Sequence, residues 1–234
     1  MADRPARVAL CIMAKAPEAG QVKTRLCPPL SHEEAAELYR CFLMDKIAQV
    51  QAVSAAEPVI AYAPEGAAGI FEDLAPGWRL LPQRGGDLTS RLVSVLEELF
   101  GTGFDASIVI DSDTPTLPSA LLELAVSHMA AKAHELVLGP SEDGGYYLIG
   151  SRRIHRALFE DMPWSTPAVF GETVRRARAL GLAVLALEPW YDVDTGADLA
   201  RLAAEVEAGG DEGPRHTRRL LLAMDRTSVS GRRV

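Results

Sequence analysis

A chain of 234 residues, nearly half of them apolar, is long enough for one sizeable α/β domain with a well-filled core. Thirty-two acidic against twenty-four basic side chains leave a net charge of −8, which argues against a general nucleic-acid binder. No apolar run is long enough to cross a bilayer.

In chain order, "MADRPARVALCIMAK" places a short apolar strand between charges and lacks the longer apolar region and cleavage site of a signal peptide. Next comes the loop "AKAPEAGQVKTRL", and then Ser31 and Glu34, spaced as a capping box. Behind that cap Leu38, Tyr39, Phe42, Leu43 and Ile47 recur at helical spacing. "PVIAYA" and "WRLLPQ" read as strands, the second closed by Gly85 and Gly86 before a helix with Leu88, Leu92, Leu96 and Leu99. "ASIVIDSD" is a strand ending in carboxylates, and Pro118 opens the helix "SALLELAVSHMA". "ELVLGP" and "GYYLIG" flank a Ser-Glu-Asp-Gly-Gly turn as a hairpin-like pair. "GETVRRARALG" is helical, "LAVLALEP" a strand, and "DVDTGADLARLAAEVE" leads into an amphipathic helix. This alternation predicts a mostly parallel sheet with helices on both faces. Residues 1–208 form one expected domain and 209–234 an arginine-rich tail, helical from about Thr217 to Met224 and then disordered. Cys11, Cys27 and Cys41 are far apart, with no C-x-x-C pair, which suits packing roles in a reducing, cytoplasmic setting.

Ligands in such sheets bind beyond the carboxyl ends of strands, and four clusters fall there. The opening loop carries Lys15, Lys23 and Arg25 around Gly20. It is not a P-loop, because Gln21 and Val22 separate Gly20 from Lys23 and Thr24. A solvated basic loop and an anion cradle both fit it. Asp111 and Asp113 project to one side of an extended segment, as a divalent cation with oxygen ligands requires, although a capped turn uses the same residues. Asp192 and Asp194 precede a helix cap made by Thr195 and Asp198 and are not needed for that cap. Asp143, Gly144 and Gly145 make a tight turn that also permits close approach of a ligand. Gly85 and Gly86, with Arg91 one helical turn on, offer amides to a base or phosphate, or simply a helix start.

The blocks "AKAPEAGQVKTRL", "DSDTPTLP", "DGGYYLIG", "WSTPAVF" and "WYDVDTGADL" together resemble the bacterial family of rSAM/selenodomain-associated transferase 1 proteins. That family is placed among the nucleotide-diphospho-sugar transferases of GT-A type. The resemblance spans about residues 7 to 205. It implies a three-layer α/β/α Rossmann-like fold with a mostly parallel mixed sheet. It also implies that Lys15, Lys23 and Arg25 bind phosphate, with Asp113 as a catalytic and metal-binding carboxylate. Asp111 is its companion and Asp194 the second metal-binding carboxylate, for Mg²⁺ or Mn²⁺. Ala16, Gly20, Thr24, Gly85, Gly86 and Arg91 fall on the nucleotide side, and Asp143, Gly144 and Gly145 on the acceptor side. Where related nucleotidyltransferases carry a glycine-rich loop, this chain has "KAPEAGQVKTR".

The activity so implied is a Mg²⁺-dependent transfer from a nucleoside triphosphate or nucleotide-sugar to a small phosphorylated or hydroxyl acceptor. Nucleotidyl transfer is the first expectation, because a triphosphate best matches a basic loop. Sugar transfer is the second, and a nucleotide-binding accessory protein without turnover the third. Neither a nucleic acid nor a membrane is an expected partner, and the sequence leaves the oligomeric state open.

Overall fold

The structure, a computed structural model, describes residues 4–209 and 213–230. Seven strands form one sheet: β1 (Val8–Lys15), β2 (Glu57–Ala63), β3 (Arg79–Pro82), β4 (Ala106–Ile110), β5 (Leu136–Pro140), β6 (Tyr146–Ser151) and β7 (Val184–Ala186). Their order is β3-β2-β1-β4-β6-β5-β7. All pairings are parallel except those of β6, which runs antiparallel to both β4 and β5. The helices are α1 (His32–Ala52), α2 (Ala68–Leu74), α3 (Leu88–Gly101), α4 (Ser119–Ala130), α5 (Val169–Ala179), α6 (Gly196–Ala208) and α7 (Arg215–Ser230).

Period-two alternation along β1 explains the layering. Val8, Leu10 and Ile12 face a core built with α1, α2, α4 and α6, whereas Ala9 and Cys11 face a second core built with α3 and α5. A strand covered on both faces must be apolar at every position, and β1 is buried from Val8 to Ile12. The expected three-layer α/β/α Rossmann-like architecture with a mixed sheet is therefore present. Cys11 and Cys41 are buried free thiols, in keeping with packing roles.

Capping boxes at Ser31–Glu34 and Thr195–Asp198 start α1 and α6 as their spacing predicts, and Asp87 with Ser90 starts α3 in the same way. The hairpin of β5 and β6 is present, with a register shift at Gly139 and Pro140. Three features differ from the sequence reading. Helix α2 is absent from that reading, because a seven-residue helix with Gly66 and Gly69 close by has little intrinsic signal. Strand β7 is only three residues long, and the chain after it stays at the sheet edge through one isolated parallel bridge between Ser141 and Trp190.

Helix α7 is the third difference. It runs from Arg215 to Ser230, well beyond the expected Thr217–Met224. Its start is fixed by a distant residue: the Asp45 carboxylate of α1 accepts from the amides of His216 and Thr217 at 2.9 Å each. Leu220 and Leu221 pack against the first core. The last part of the expected disordered end, residues 231–234, lies outside the described residues. Among the described residues no helix is long and apolar enough to cross a membrane.

Candidate active site

The carboxyl ends of β1, β2 and β4 lie side by side, and the loops that leave them build one wall. Gln83 closes the edge between β1 and β2 by donating to the carbonyls of Ala14 and Ala61, at 3.0 and 2.8 Å. Tyr39 of α1 fixes β1 to β4. Its hydroxyl accepts from the Lys15 amide at 3.0 Å and lies 2.8 Å from the Ser112 hydroxyl. Because the Tyr39 oxygen accepts from an amide, its own proton is available to Ser112.

At the centre stands Lys23. Its ammonium lies 2.7 Å from Asp113 Oδ1 and 2.9 Å from Asp194 Oδ1. The Lys23 side chain is only 5% exposed, so the two carboxylates supply the charge that its burial requires. Burial by itself lowers the lysine pKa. Asp113 and then Asp194 outweigh that effect and raise it above the ordinary lysine range, so the ammonium stays charged. The backbone delivers Lys23 through a left-handed conformation, φ 49°, immediately before a short 3-10 turn, Thr24–Leu26. Arg25 follows it, with Nη1 3.4 Å from Asp194 Oδ2. A backbone hydrogen bond from Val193 N–H to the Asp113 carbonyl, 3.0 Å long, holds the two acidic segments together.

Asp111 occupies a different place from its D-x-D companion. Its Oδ1 accepts from the Thr114 hydroxyl at 2.7 Å and from the Asp113 amide at 3.3 Å. Beneath it lies Lys46 of α1, 1% exposed, whose ammonium donates to the Thr114 carbonyl at 2.8 Å, the Thr114 hydroxyl at 3.0 Å and Gln49 Oε1 at 3.1 Å. Burial pushes the Asp111 carboxyl up to about 7, with Lys46 pulling the other way. Burial likewise lowers Lys46 to about 8, against the attraction of Asp111, Asp113 and Asp45. A buried lysine on the helix thus props up the turn that presents Asp113.

Two cavities meet along Met13, Leu88, Ser112 and Asp113. The first, about 540 Å³, is lined by Lys15, Lys23, Thr24, Arg25, Gly86, Arg91 and Asp194 among others. The second, about 330 Å³, is lined by Asp111, Asp113, Asp143, Gly145 and Asp192 together with aromatic and aliphatic side chains.

Most of the residues singled out from sequence therefore border one continuous cleft, but not all do. Ala16 is buried and its amide bonds to the Ala63 carbonyl at 2.7 Å, so that amide is not offered to a ligand. Gly20 takes φ +75° within the loop, and neither cavity has it on its wall. Gly85, at φ +122°, packs against Ser90, and its carbonyl accepts from Arg91 Nε at 3.3 Å. It shapes the helix start while Gly86 and Arg91 reach the cleft. Gly144 lies behind the Asp143 turn at φ +91°, where an added Cβ would come 2.3 Å from the Pro167 carbonyl oxygen. Its own carbonyl accepts from the Phe170 amide at 2.9 Å, joining the turn to α5.

The donor set suits a hard divalent cation. Asp113 and Asp194 offer carboxylate oxygens already gathered around one positive charge, that of Lys23. Among the described residues no group of three or more His, Cys, Asp or Glu side chains forms a metal cage. Two carboxylates match the way Mg²⁺ is held, with water and substrate phosphates completing its shell. Asp192 lies in the second cavity, its carboxyl pushed up to about 6 by burial and by Asp143 and Asp194.

Sequence reasoning did not single out Lys46, and it read Tyr39 only as a packing position on α1, without its hydroxyl role. An apolar-faced helix with a lysine at a core position was the available signal for Lys46.

A family profile described as "Uncharacterized protein conserved in bacteria (DUF2064)" matches residues 46–166. No curated protein sequence matches the chain. Among solved structures, a provisionally named nucleotide-diphospho-sugar transferase from Desulfovibrio desulfuricans G20 is 30% identical, with 95% of this chain and 98% of that one covered and a TM-score of 0.85. A cytidylyltransferase from Leptospira borgpetersenii serovar Hardjo-bovis superposes over 96% of each chain at 13% identity and a TM-score of 0.56. A CMP:2-keto-3-deoxy-manno-octonic acid synthetase complexed with CTP is 17% identical over 86% of this chain and 99% of its own, with a TM-score of 0.51. At those identities the last two show a common fold and nothing finer. The profile spans more than half of the chain and agrees with the resemblance carried by the sequence blocks. The chain belongs to the bacterial DUF2064 family and has the fold of the nucleotide-diphospho-sugar transferases.

Proposed function

We propose that the protein is a transferase that binds a nucleoside triphosphate or nucleotide-sugar with Mg²⁺ or Mn²⁺ and passes one part of it to a small acceptor. The observation that carries this reading is the Lys23 ammonium held by Asp113 and Asp194 at the rim of a cleft lined with Lys15, Arg25 and Arg91. A deep lysine between two carboxylates is costly to build for stability alone. It is well suited to an exchange in which the carboxylates take a divalent ion and the ammonium turns to a phosphate.

In this reading Asp113 and Asp194 hold the metal, with Asp111 and Lys46 fixing the turn beneath. The metal, when bound, neutralises phosphate charge and polarises the reacting oxygen. Lys15, Lys23 and Arg25 hold the donor phosphates and stabilise the charge that grows on them. Thr24, Gly86 and Arg91 line the nucleotide side, and Asp143 and Gly145 the acceptor side. The provisional name of the 30% identical relative from D. desulfuricans supports a nucleotide-using transferase.

Two reactions share this machinery. In nucleotidyl transfer an acceptor oxygen attacks the α-phosphorus and pyrophosphate leaves. In sugar transfer the acceptor oxygen attacks the anomeric carbon and a nucleoside diphosphate leaves. Four cationic side chains along the nucleotide cleft favour the first, since a triphosphate carries the larger charge.

The test is a thermal-shift screen of nucleoside triphosphates and nucleotide-sugars, each with Mg²⁺ and with EDTA, followed by product analysis. A donor present at a hundred times its dissociation constant stabilises by about 2.7 kcal/mol, which raises Tm by several degrees. The expected result is such a rise in Mg²⁺ that is lost in EDTA, with pyrophosphate as the released product. Nucleoside diphosphate release would select sugar transfer instead. Absence of any metal-dependent shift would reject the reading.

A further inference from the structure

The two cavities that meet at Asp113 divide the charge of the site unequally. The nucleotide cleft carries Lys15, Lys23, Arg25 and Arg91. The second cavity carries Asp111, Asp113, Asp143 and Asp192, and among the described residues no lysine, arginine or histidine lines it. Two of its carboxylates have partners elsewhere. Asp111 is tied to Thr114 above Lys46, and Asp113 to Lys23. Asp143 accepts from the Gly145 amide at 2.8 Å, and among the described residues lining the cavity no cation faces either Asp143 or Asp192.

Of the remaining wall, Met13, Leu88, Leu92, Val169, Tyr146 and Trp164 are apolar or aromatic, and Ser112, Ser141, Ser165 and Thr166 add neutral hydroxyl residues. Tyr146 and Trp164 meet edge to face, with ring centroids 6.0 Å apart. The Trp164 indole N–H is committed to the Thr89 hydroxyl at 2.7 Å, which fixes the ring in place. The Tyr146 hydroxyl is buried and has no hydrogen-bond partner among the described residues, so the ring, and not the hydroxyl, is what Tyr146 offers the cavity.

We infer that this second cavity selects an acceptor with no anionic group: a neutral or cationic small molecule that presents a hydroxyl toward Asp113 and an apolar face toward Tyr146 and Trp164. The inference rests on the transferase reading and narrows it, because a phosphorylated acceptor is excluded. A phosphate placed here would face Asp143 and Asp192 with no cation to offset them, and like charges in a confined site repel strongly. The charge of a metal at Asp113 and Asp194 is matched by those carboxylates and by the donor phosphates, so it does not relieve that repulsion.

A hydroxyl acceptor also settles the proton balance. Its oxygen forms the new bond to the donor's phosphorus or anomeric carbon. The bond to pyrophosphate or to the nucleoside diphosphate breaks, and its electron pair leaves with that group. The hydroxyl proton passes to the Asp143 carboxylate on the cavity wall and then to water.

The experiment uses the full chain loaded with whichever Mg²⁺–nucleotide raises its Tm. Acceptors are offered in matched pairs: glycerol and glycerol 3-phosphate, glucose and glucose 6-phosphate, ethanolamine and phosphoethanolamine. Binding is read by a further Tm shift and turnover by leaving-group release. The expected result is at least a tenfold preference for the unphosphorylated member of the pair that responds best. Asp192→Arg should cut that preference, read as the ratio of responses within a pair, at least fivefold. Equal or better response to the phosphorylated members overturns the inference, as does a loaded protein that responds to no unphosphorylated member. Failure of every nucleotide to bind is a separate outcome that overturns the transferase reading and this inference with it.

Discussion

Replacing Asp113 with asparagine is expected to reduce turnover at least a hundredfold and Mg²⁺-dependent nucleotide affinity at least tenfold, with the fold intact. Asp113 is, among the described residues, the charged one that lines both cavities, and it lies 2.7 Å from Lys23. Asparagine preserves its volume and its backbone bond to Val193 but removes the charge. Loss of one preorganised charge-stabilising group in an active site costs about 2.7–4 kcal/mol, a factor of 10²–10³ in rate. The buried Lys23 ammonium keeps Asp194 at 2.9 Å as a counter-charge, which limits the stability loss that accompanies the change. Calorimetric titration of the nucleotide in Mg²⁺ and in EDTA, with urea unfolding of the same samples, separates the two effects. Unchanged Mg²⁺-dependent affinity in the variant would remove the support for Asp113 as the metal-binding carboxylate.

Lys46→Met should be the most destabilising single change at the site. Methionine keeps the unbranched stem in the α1 core but deletes three hydrogen bonds, two of them to Thr114. The Thr114 carbonyl and the Asp111 carboxyl would remain buried without their cation. Leaving one member of a buried charged network behind costs about 3–5 kcal/mol, a large share of the stability of a domain this size. A drop of that size in urea unfolding, with reduced nucleotide affinity in the folded fraction, is the expected outcome. A variant within about 1 kcal/mol of the parent would show that the Asp111–Thr114–Lys46 network does not support the turn.

The parts of the fold that were legible in the sequence are those set by local rules. The alternation of β1, the capping boxes of α1 and α6, and the glycine-rich turn between β5 and β6 each depend on residues close together in the chain. Helix α7 was read short because its N-terminal partner, Asp45, is 171 positions away from His216. The candidate site was legible in its residue types, since Lys23, Asp113 and Asp194 were each singled out at strand ends. Their direct contact was not, because it depends on β1 and β4 being neighbours and on the backbone bond between Val193 and Asp113. Asp111 and Asp113 also show the limit of spacing as a guide. Two carboxylates two residues apart project alike in an extended strand, yet the chain turns at Ser112 and sends Asp111 down to Thr114 and Lys46. The division of charge between the two cavities belongs to the same class of feature, since its residues come from segments far apart in the chain.

The proposed exchange at Lys23 is tested directly by anomalous scattering from Mn²⁺ in crystals grown with the nucleotide that the stability screen identifies. The expected result is a Mn²⁺ peak ligated by Asp113 and Asp194, with the Lys23 ammonium moved from between them onto a phosphate. A nucleotide bound elsewhere, or a Lys23 ammonium still bridging the two carboxylates beside a bound nucleotide, would contradict it.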